Sequence, residues 1–487
     1  MGVALQEKDE LHAAIDSYEK VLNIDSGHQL ARSHKLHQLA HICDWAGIEE
    51  DRGVIPNLGT VKQHINPFSI LALEDAPERH RIRSEIYAKN TFKQTPLPLP
   101  AIPVQKPRRL RIGYFSSDFR EHAVAPGIIS LLRSHDREHF EIYGYSFGPD
   151  DSSEMRQQII EAADVFHDVR EMPDKDIALL ARQDEINIAI DLNGYTAKNR
   201  ANIFAYRAAP VQIHFWGTVN SMGTDHIDYY IGDDLGIPKE HDHHYSESVI
   251  RLPYIYQSKY ANEAISDHPI TRADMGLPEK GFVFCCFNSS YKLSPVEFRI
   301  WMRLLDKVGG SVLWLVKSNK WVEKNLRNEA TKRGIDADRL IFAEQLPLKM
   351  HLARQRLADL FVDTFNTNAG VAAGDALWMG LPMVTKLGKG YAARIGGSIL
   401  KAIGLPELIT ETEQEYEALI LELATNPERL AAIKTKLADN RLIKPLFDED
   451  LFTKHMEDGY EQAFQCYFDG KDPESINVQE QSKQNSS

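Results

Sequence analysis

The chain has 487 residues, of which 43% are hydrophobic and 26% are charged, the composition of a globular protein with more than one domain. Acidic residues outnumber basic ones by 70 to 56, and the formal net charge of −14 argues against a general affinity for nucleic acid. No apolar run reaches the ~18 residues of a membrane span. The start MGVALQEKDE lacks the basic and apolar regions of a secretory signal. The cysteines show no metal-ligand spacing, which predicts a reducing, cytoplasmic location.

The segment 1–60 is predicted to be helical, because apolar residues recur in it at helical spacing. Gly2, Leu5, Ala14, Tyr18 and Val21 resemble the second part of a tetratricopeptide repeat. The alternative is an ordinary helical hairpin. One repeat cannot bury its own face, so the segment would end an array, cap the next domain or pair two copies of the chain in a homo-oligomer.

A second helical stretch is predicted over 67–93. It is followed by TPLPLPAIPVQKP, which contains five prolines in thirteen residues and therefore predicts an extended connector. We interpret 61–107 as a helical linker with this connector at its end.

Short apolar runs then alternate with helical stretches, a pattern that predicts parallel sheets with helices on both faces. Two successive sets predict an N-terminal Rossmann-like lobe over 108–275 and a C-terminal lobe over 276–470, with a hinge around 255–280. The tail 471–487 has almost no apolar side chains and is predicted to be disordered. The predicted strands are 110–114, 141–145, 186–192, 211–216, 249–254, 282–287, 312–316, 340–343, 360–364 and 383–385; the predicted helices are 294–306, 321–333, 350–358, 372–379 and those within 412–466.

Candidate site residues follow the predicted strands, because ligands of open parallel sheets bind at the carboxyl ends of strands. In the first lobe, His122 lies in the loop after the first strand and Asp191 ends the third. Each also has a purely structural interpretation. The histidine would pair with a neighbouring carboxylate, and the aspartate would close its strand with an Asx-turn.

In the second lobe, Asn288, Ser289, Tyr291 and Lys292 follow the strand 282–287. Amide, hydroxyl and ammonium groups together suit a phosphate, although a capped helix start with a solvated lysine would have the same sequence.

Small residues after the strand 360–364, among them Gly370, Val371 and Ala372, lead with Asp375 into the next predicted helix. The free N–H groups and the dipole of such a helix start suit an anion. Further along, 388–393 resembles G-x-G-x-x-A, but no acidic residue follows at the ribose distance, and we interpret this loop as a second phosphate-side loop.

Three clustered histidines, His241, His243 and His244, are of a type that binds metals. Neither a cysteine nor a third, separated ligand accompanies them in the sequence, so a solvated loop is predicted instead. No metal site is predicted in the chain.

Several separated motifs resemble the O-GlcNAc transferase / SPINDLY family. They are the runs 111–119 with His122, 191–196, 287–288 with 291–292, and 375–382, in this order, and the Cys43-Asp44-Trp45 junction after the helical segment. The resemblance covers about residues 2–466, and it is closest in kind to a bacterial member without the insert between the catalytic lobes.

This resemblance implies a GT-B fold, with two Rossmann-like lobes and a central cleft. It also implies inverting, metal-independent transfer of a sugar to Ser or Thr hydroxyls of proteins. The nucleotide sugar is a substrate, with UDP-GlcNAc as the expected donor, so no cofactor is implied. The alternatives are a GDP-sugar such as GDP-fucose, or a non-catalytic binding protein.

Roles of single residues are also implied by the resemblance. His122 corresponds to the histidine near the acceptor and the donor phosphate, and Lys292 to the lysine on the diphosphate. His351 and Arg354 correspond to the pair on the base, and Asp375 to the acid on the ribose. The further positions are Leu346, which contacts the base through its backbone, and Lys349, which replaces a family lysine expected at Leu348.

Two loops depart from the family. Gly370-Val371-Ala372 stands where His-Thr-Thr is common, so the backbone N–H donors remain without the side-chain groups. Gly217-Thr218-Val219-Asn220 replaces a Gly-Tyr-Pro-Gly-like loop. Either His122 or Asp191 is of a type that can accept the proton of the acceptor hydroxyl, and the sequence leaves both open.

Overall fold

The computed structural model describes residues 2–6, 10–61, 63–257 and 269–481. They divide into two compact units, each built on its own parallel sheet. Lobe N comprises the described residues within 66–68, 77–261 and 445–487. Lobe C comprises those within 1–65, 69–76 and 262–444.

The strands of both lobes are short and mostly buried. They are β1 (Leu110–Ser116), β2 (Phe140–Ser146), β3 (Val165–Asp168), β4 (Ile188–Asp191), β5 (Val211–His214), β6 (Tyr229–Asp233), β7 (Ser248–Leu252), β8 (Val283–Cys286), β9 (Val312–Val316), β10 (Leu340–Ala343), β11 (Leu360–Val362), β12 (Met383–Lys386), β13 (Ile409–Thr410) and β14 (Ile476–Asn477). All ten predicted strands are present. β3, β6, β13 and β14 were not predicted.

Helices connect these strands and form the N-terminal segment. They are α1 (Gly2–Gln6), α2 (Leu11–Ile24), α3 (Gln29–His41), α4 (Trp45–Glu50), α5 (Pro77–Thr91), α6 (Ala125–Ser134), α7 (Glu154–Ala162), α8 (Asp174–Gln183), α9 (Asn202–Ala205), α10 (Pro295–Lys307), α11 (Lys320–Lys332), α12 (Leu348–Arg354), α13 (Val371–Trp378), α14 (Ile395–Ala402), α15 (Glu413–Thr425), α16 (Pro427–Asn440) and α17 (Glu449–Phe468). Among the described residues, none of these helices is long and apolar enough to cross a membrane.

Each sheet has a point at which its strand order reverses. The lobe N order is β14-β7-β6-β5-β4-β1-β2-β3, and the lobe C order is β10-β9-β8-β11-β12-β13. All pairings are parallel. The switch points are therefore β1/β4 and β8/β11, where ligands of such sheets bind. The loops after these four strands carry many of the candidate residues named above.

The predicted domain boundaries need two corrections. The tail is not disordered throughout, because β14 pairs with β7 and its Ile476 is buried. The end of the tail predicted to be disordered, 482–487, lies outside the described residues. The last helix, α17, belongs to lobe N rather than to the C-terminal lobe. Its apolar side chains, Phe452 and Phe464 among them, are buried there.

The predicted helical stretch 67–93 is interrupted. Residues Pro67–Ile70 form a 3-10 turn, and a regular helix begins only at Pro77. Proline fixes its own φ at a helix start and keeps the preceding residue out of the helical region. Between Thr91 and Leu110 no helix or strand is present, as predicted for the connector. Most of the predicted hinge, 258–268, lies outside the described residues.

Candidate functional site

In lobe C, the buried carboxylate of Asp363 joins the loops after β8 and β11. Its Oδ1 accepts hydrogen bonds from Asn288 Nδ2 at 3.1 Å and from the backbone N–H groups of Thr364 and Ala369, both at 2.8 Å. Its Oδ2 accepts one from Thr385 Oγ1 on β12 at 2.7 Å. Burial raises the pKa of Asp363 to about 6, and these donors counteract it. The carboxylate therefore holds together the loops that follow β8 and β11 at the switch point of the sheet.

Lys292 reaches the loop that leads into α13. Its Nζ donates to the carbonyl of Asn368 at 3.0 Å. Burial lowers the pKa of Lys292, while Asp363 and Cys286 raise it. The structure thus brings the ammonium group beside the segment that begins α13, as an anion site requires.

The start of α13 has backbone N–H groups that no side-chain cap occupies, as an anion-binding helix start requires. Gly370 is its N-cap residue and supplies no side-chain cap. Gly370, Val371 and Ala372 are all partly exposed, whereas Asp375 one turn later is buried. The first N–H groups of the helix and its dipole favour a negative charge at this point.

The other side of the β8 loop packs against the N-terminal helical segment. The ring of Tyr291 lies 5.0 Å from that of His41 on α3, and burial raises the pKa of Tyr291 to about 12. Ser290 Oγ donates to the carbonyl of His41 at 2.9 Å. Ser289 is exposed. The Tyr291 ring is thus part of the packing of α3 onto this loop.

On α12, His351 and Arg354 come together next to β8. Arg354 donates to His351 Nδ1 at 2.6 Å, and its guanidinium lies 5.2 Å from the ring centre of Phe287. Burial lowers the pKa of Arg354 to about 10. The His351 ring is 5.3 Å from the same phenylalanine. Arg354 is buried, at 2% exposure, whereas His351 is partly exposed, so the imidazole is the member of the pair that can face a planar base.

Leu346 and Lys349 lie near the start of α12. Leu346 is partly buried just before the helix, and Lys349 is exposed in its first turn. This arrangement leaves the Lys349 ammonium in solvent.

The interpretation of 388–393 as a phosphate-side loop is wrong. The carboxylate of Asp75 already accepts hydrogen bonds from the backbone N–H groups of Lys389 and Gly390, at 2.6 and 2.7 Å. The Asp75 carboxylate thus occupies backbone donors that a phosphate would need. This contact joins residues 314 positions apart, so the local motif could not reveal it.

In lobe N, Asp191 ends β4 in a buried network. Its Oδ1 accepts from the N–H groups of Asn193 at 2.9 Å and Gly194 at 3.1 Å, which is the Asx-turn arrangement. Its Oδ2 lies 3.3 Å from Nδ1 of the buried His214, whose Nε2 lies 2.9 Å from the carbonyl of Thr218. Both ring nitrogens of His214 thus face acceptors. Burial lowers the pKa of His214, but Asp191 outweighs this effect and holds it above the ordinary value.

Two glycines allow the β4 and β5 loops to approach each other. Gly194 has φ 56°, and a Cβ there would lie 2.7 Å from Thr218 Oγ1. Gly217 has φ 65°, and its Cβ would lie 2.3 Å from the carbonyl oxygen of Asn193. A side chain at either position would force these loops apart.

His122 lies in the loop after β1 and is half-exposed, with 37% of its side chain accessible. Its Nε2 is 3.9 Å from Asp118 Oδ1, and its Nδ1 has no hydrogen-bond partner among the described residues. Burial lowers the pKa of His122, Asp118 raises it and Arg120 lowers it further, so the net shift is downward. The ring is therefore neutral at pH 7 and accessible to a substrate.

Asn193 connects the two loops of lobe N and was not singled out from the sequence. Its side-chain Nδ2 donates to Asp118 Oδ2 at 3.1 Å and to Ser117 Oγ at 2.9 Å, and its Oδ1 accepts from the Ser117 N–H at 2.9 Å. Asn193 thus links Asp118, the carboxylate near the His122 ring, to Asp191. The signal for Asn193, like that for Asp363 in lobe C, is a polar residue at the end of an apolar strand.

Two parallel α/β lobes, each with its polar residues at a topological switch point, define the class of protein as a GT-B-type fold. The sequence model of glycosyl transferase family 41 matches residues 86–268 and 255–456. The chain belongs to this family.

Two named relatives from plants and animals are similar over most of the chain. The chain is 34% identical over 469 residues to the Arabidopsis thaliana protein described as a probable UDP-N-acetylglucosamine–peptide N-acetylglucosaminyltransferase, SEC, across 91% of this chain and 48% of that protein. It is 26% identical to the Caenorhabditis elegans UDP-N-acetylglucosamine–peptide N-acetylglucosaminyltransferase, across 75% of this chain and 42% of that protein. The chain thus spans about half the length of these relatives.

The fold is similar to that of a solved O-GlcNAc transferase from Thermobaculum terrenum, a lysine-to-methionine mutant. The TM-score is 0.77 with 25% sequence identity, across 96% of this chain and 84% of that one.

Proposed function

We propose that the protein is an inverting glycosyltransferase that moves N-acetylglucosamine from UDP-GlcNAc to Ser or Thr hydroxyls of acceptor proteins without a metal ion. The names of the plant and nematode relatives support the donor and the peptide acceptor. The observation that carries the proposal is the placement of the Lys292 ammonium beside the loop that begins α13.

The chemistry depends on the leaving group. Transfer of the sugar releases a nucleoside diphosphate, and negative charge grows on its phosphate oxygens as the glycosidic bond breaks. Lys292 and the N–H groups at Gly370–Ala372 offset that charge, in the manner of preorganised electrostatic stabilisation. A lysine and a helix start thereby take the part that a divalent cation plays in other transferases.

The remaining lobe C residues hold the nucleoside. In the proposal, the partly exposed His351 contacts the base, and the buried Arg354 holds its ring in place. The backbone at Leu346 recognises the edge of the base, and Asp375 binds the ribose. Asn288 has both of its N–H contacts committed to Asp363 and Thr364, so it shapes the loop rather than binding the sugar. Ser289 and Lys349, being exposed, remain free to contact the outer part of the donor.

For the acceptor proton, we favour His122 over Asp191 as general base. A base needs an accessible atom within reach of the hydroxyl and a pKa near the working pH. His122 is half-exposed, and its Nε2 lies 3.9 Å from the nearest carboxylate oxygen, of Asp118. Its Nδ1 is buried without a hydrogen-bond partner among the described residues, so Nε2 is the atom proposed to accept the proton. Asp191 already accepts two backbone hydrogen bonds and faces the buried ring of His214. Its proposed part is to hold the β4 loop in place.

The proposal also covers the location of the protein and its oligomeric state. The four cysteines are unpaired, which supports a reducing, cytoplasmic location. The helical segment α1–α4 remains the proposed surface for a homo-oligomer.

The test combines ligand binding and turnover. UDP, at ~100 times its dissociation constant, should stabilise the protein by about 2.7 kcal/mol, and GDP should not. UDP-GlcNAc with a Ser/Thr peptide mixture should give a glycosylated product, measured by mass spectrometry, with and without EDTA. Stabilisation by GDP alone would assign a GDP-sugar donor. Binding without any turnover would make the protein a binding module, and loss of activity in EDTA would refute metal-independent transfer.

A further inference from the structure

Lobe N contains a cluster of metal-ligating side chains away from the loops after β1 and β4. Glu78 lies in the first turn of α5, and His243 and His244 end the 3-10 helix Lys239–His244 between β6 and β7. One ligand atom from each of these three residues lies within 4.8 Å of the other two. Glu78, which lies 165 positions before His243 in the chain, therefore supplies the third, separated ligand that the sequence alone did not reveal.

We propose that Glu78, His243 and His244 bind a divalent transition-metal ion, with zinc as the ion their donor set favours. Two imidazole nitrogens and one carboxylate oxygen are the ligands of many three-residue zinc sites, in which water takes the fourth position. Magnesium and calcium prefer sites made of oxygen alone. The proposal concerns a site separate from sugar transfer and does not depend on the donor or the acceptor.

The distances suit a small tetrahedral ion. Zinc bonds to nitrogen and oxygen measure about 2.0–2.2 Å, so neighbouring ligand atoms of a tetrahedron lie about 3.4 Å apart. His244 Nε2 and Glu78 Oε1 are already 3.3 Å apart. The rings of His243 and His244 have their centres 4.0 Å apart, and the ligand atoms of all three residues lie within 4.8 Å of one another.

The histidines are prepared for metal binding by their other contacts. His243 Nδ1 lies 2.7 Å from the carbonyl oxygen of Glu240. Because a carbonyl only accepts, Nδ1 must carry the proton, and the Nε2 lone pair is left for a metal. A backbone carbonyl in this position is a usual partner of metal-ligating histidines.

Arg81 ties the histidine segment to the helix that carries Glu78. Its Nη1 donates to the carbonyl of His243 at 2.6 Å, and its Nε pairs with Glu85 at 2.7 Å. The first contact holds His243 near the start of α5, and the second offsets the guanidinium charge beside a bound cation. The side chain of Glu78 is 63% exposed, so an ion can enter from solvent. The bound ion would link α5 to the β6–β7 connection.

The experiment uses the full chain, stripped with a chelator, dialysed and titrated with zinc chloride by calorimetry. We expect one zinc ion per chain and a higher melting temperature. Cobalt should give the visible absorption of a four-coordinate site, and magnesium should not bind. Glu78→Gln and His243→Ala should each weaken zinc binding at least tenfold. Because both side chains are exposed, the metal-free melting temperature of these variants should match that of the wild type.

The matched control is His139→Ala. His139 is an exposed histidine of the same lobe and pairs with Asp136, and its loss should leave zinc affinity unchanged. Several weak zinc ions per chain, no binding, or binding that survives both ligand substitutions would overturn the proposal. A loss of affinity of equal size in the His139→Ala control would do so as well.

Discussion

At the scale of single residues, Lys292 combines a proposed role in catalysis with a desolvated ammonium group. Its ammonium group is partly desolvated, and its pKa is lowered, yet it keeps a hydrogen bond to the Asn368 carbonyl. The charge is thus held in place before substrate arrives, which is the condition for strong electrostatic stabilisation.

Replacing this charge gives the first prediction. Lys292→Met should lower the transfer rate by ~10²–10³, the usual cost of one preorganised donor, while the melting temperature stays within a few degrees of the wild type. The effect should appear mainly in kcat, because the charge of the leaving group develops only during bond breaking. Steady-state kinetics with UDP-GlcNAc measures it. Lys332→Met, at an exposed lysine of the same lobe, is the control, and equal rates in the two variants would rule out the assigned role.

His122 gives the second prediction. If its neutral ring accepts the acceptor proton, the rate must fall as the pH drops through its pKa, which burial holds below the ordinary histidine value. His122→Ala should therefore abolish most turnover and remove this acid limb, with UDP affinity unchanged. The pH dependence of kcat/KM and a UDP titration measure the two effects.

Asp191→Asn is the companion variant. It removes the negative charge and replaces the carboxylate oxygen that faces His214 by an NH2 group, so it should lower the melting temperature. Its residual activity should keep the wild-type acid limb. A His122→Ala protein that retains this limb would contradict the general-base role and return attention to Asp191.

The sequence placed most candidate residues on the correct loops but could not find their partners. Lys292 and Asp191 follow strands, and their positions could be inferred from the apolar run before them. Asp363 and Asn193 act by joining two loops that are 75 and 76 residues apart. Such pairings depend on strand order, which an apolar pattern does not specify. For the same reason, the proximity of Glu78 to His243 and His244 could not be predicted from the sequence.

At the scale of elements, buried parallel strands were the easiest to predict. β1, β4, β8 and β9 are mostly apolar and almost entirely buried, since both faces of their sheets are covered. β3 was missed because it is an edge strand with partly exposed residues, Val165–Asp168, and hence no apolar run. β13 and β14 have two residues each, too few to form a pattern.

Helix ends followed local chemistry more closely than the broad periodicity suggested. α10 begins with Ser294 and Glu297, which form a reciprocal capping box, and α15 begins likewise with Thr412 and Glu415. The break before Pro77 was also readable from the proline itself. The loop 388–393 was misinterpreted because its motif is local, whereas the anion that fills it comes from Asp75.

At the scale of the whole molecule, the chain does not divide into lobes in sequence order. The N-terminal helices belong to the compact unit of lobe C, and the C-terminal helix α17 and strand β14 belong to lobe N. The alternation of strands and helices predicted two α/β lobes correctly. It could not show that the last residues return to the first lobe, because only a few apolar side chains mark this return.

The last prediction concerns this return. β14 adds to the edge of the lobe N sheet, with Ile476 and Val478 buried at 9% and 5% exposure. The Val478 N–H donates to the carbonyl of Arg251 on β7 at 2.9 Å, and Ser248 Oγ donates to the carbonyl of Pro473 at 2.9 Å. Full burial of one such side chain contributes about 1.5–3 kcal/mol. Deleting 471–487 should therefore destabilise lobe N by a few kcal/mol and expose β7.

Chemical unfolding measures the loss of stability, and native-state hydrogen exchange shows which strands lose protection. The amides of β7 should lose protection in the deletion variant, while those of β8 and β11 in lobe C keep it. A shorter deletion that removes only 482–487 is the control and should leave both lobes unchanged. Ile476→Asp, which buries a charge at the same edge, should reproduce the loss in full-length protein. If the longer deletion and the shorter one leave equal protection in β7, the tail adds nothing to the sheet, and the pairing with β14 is wrong.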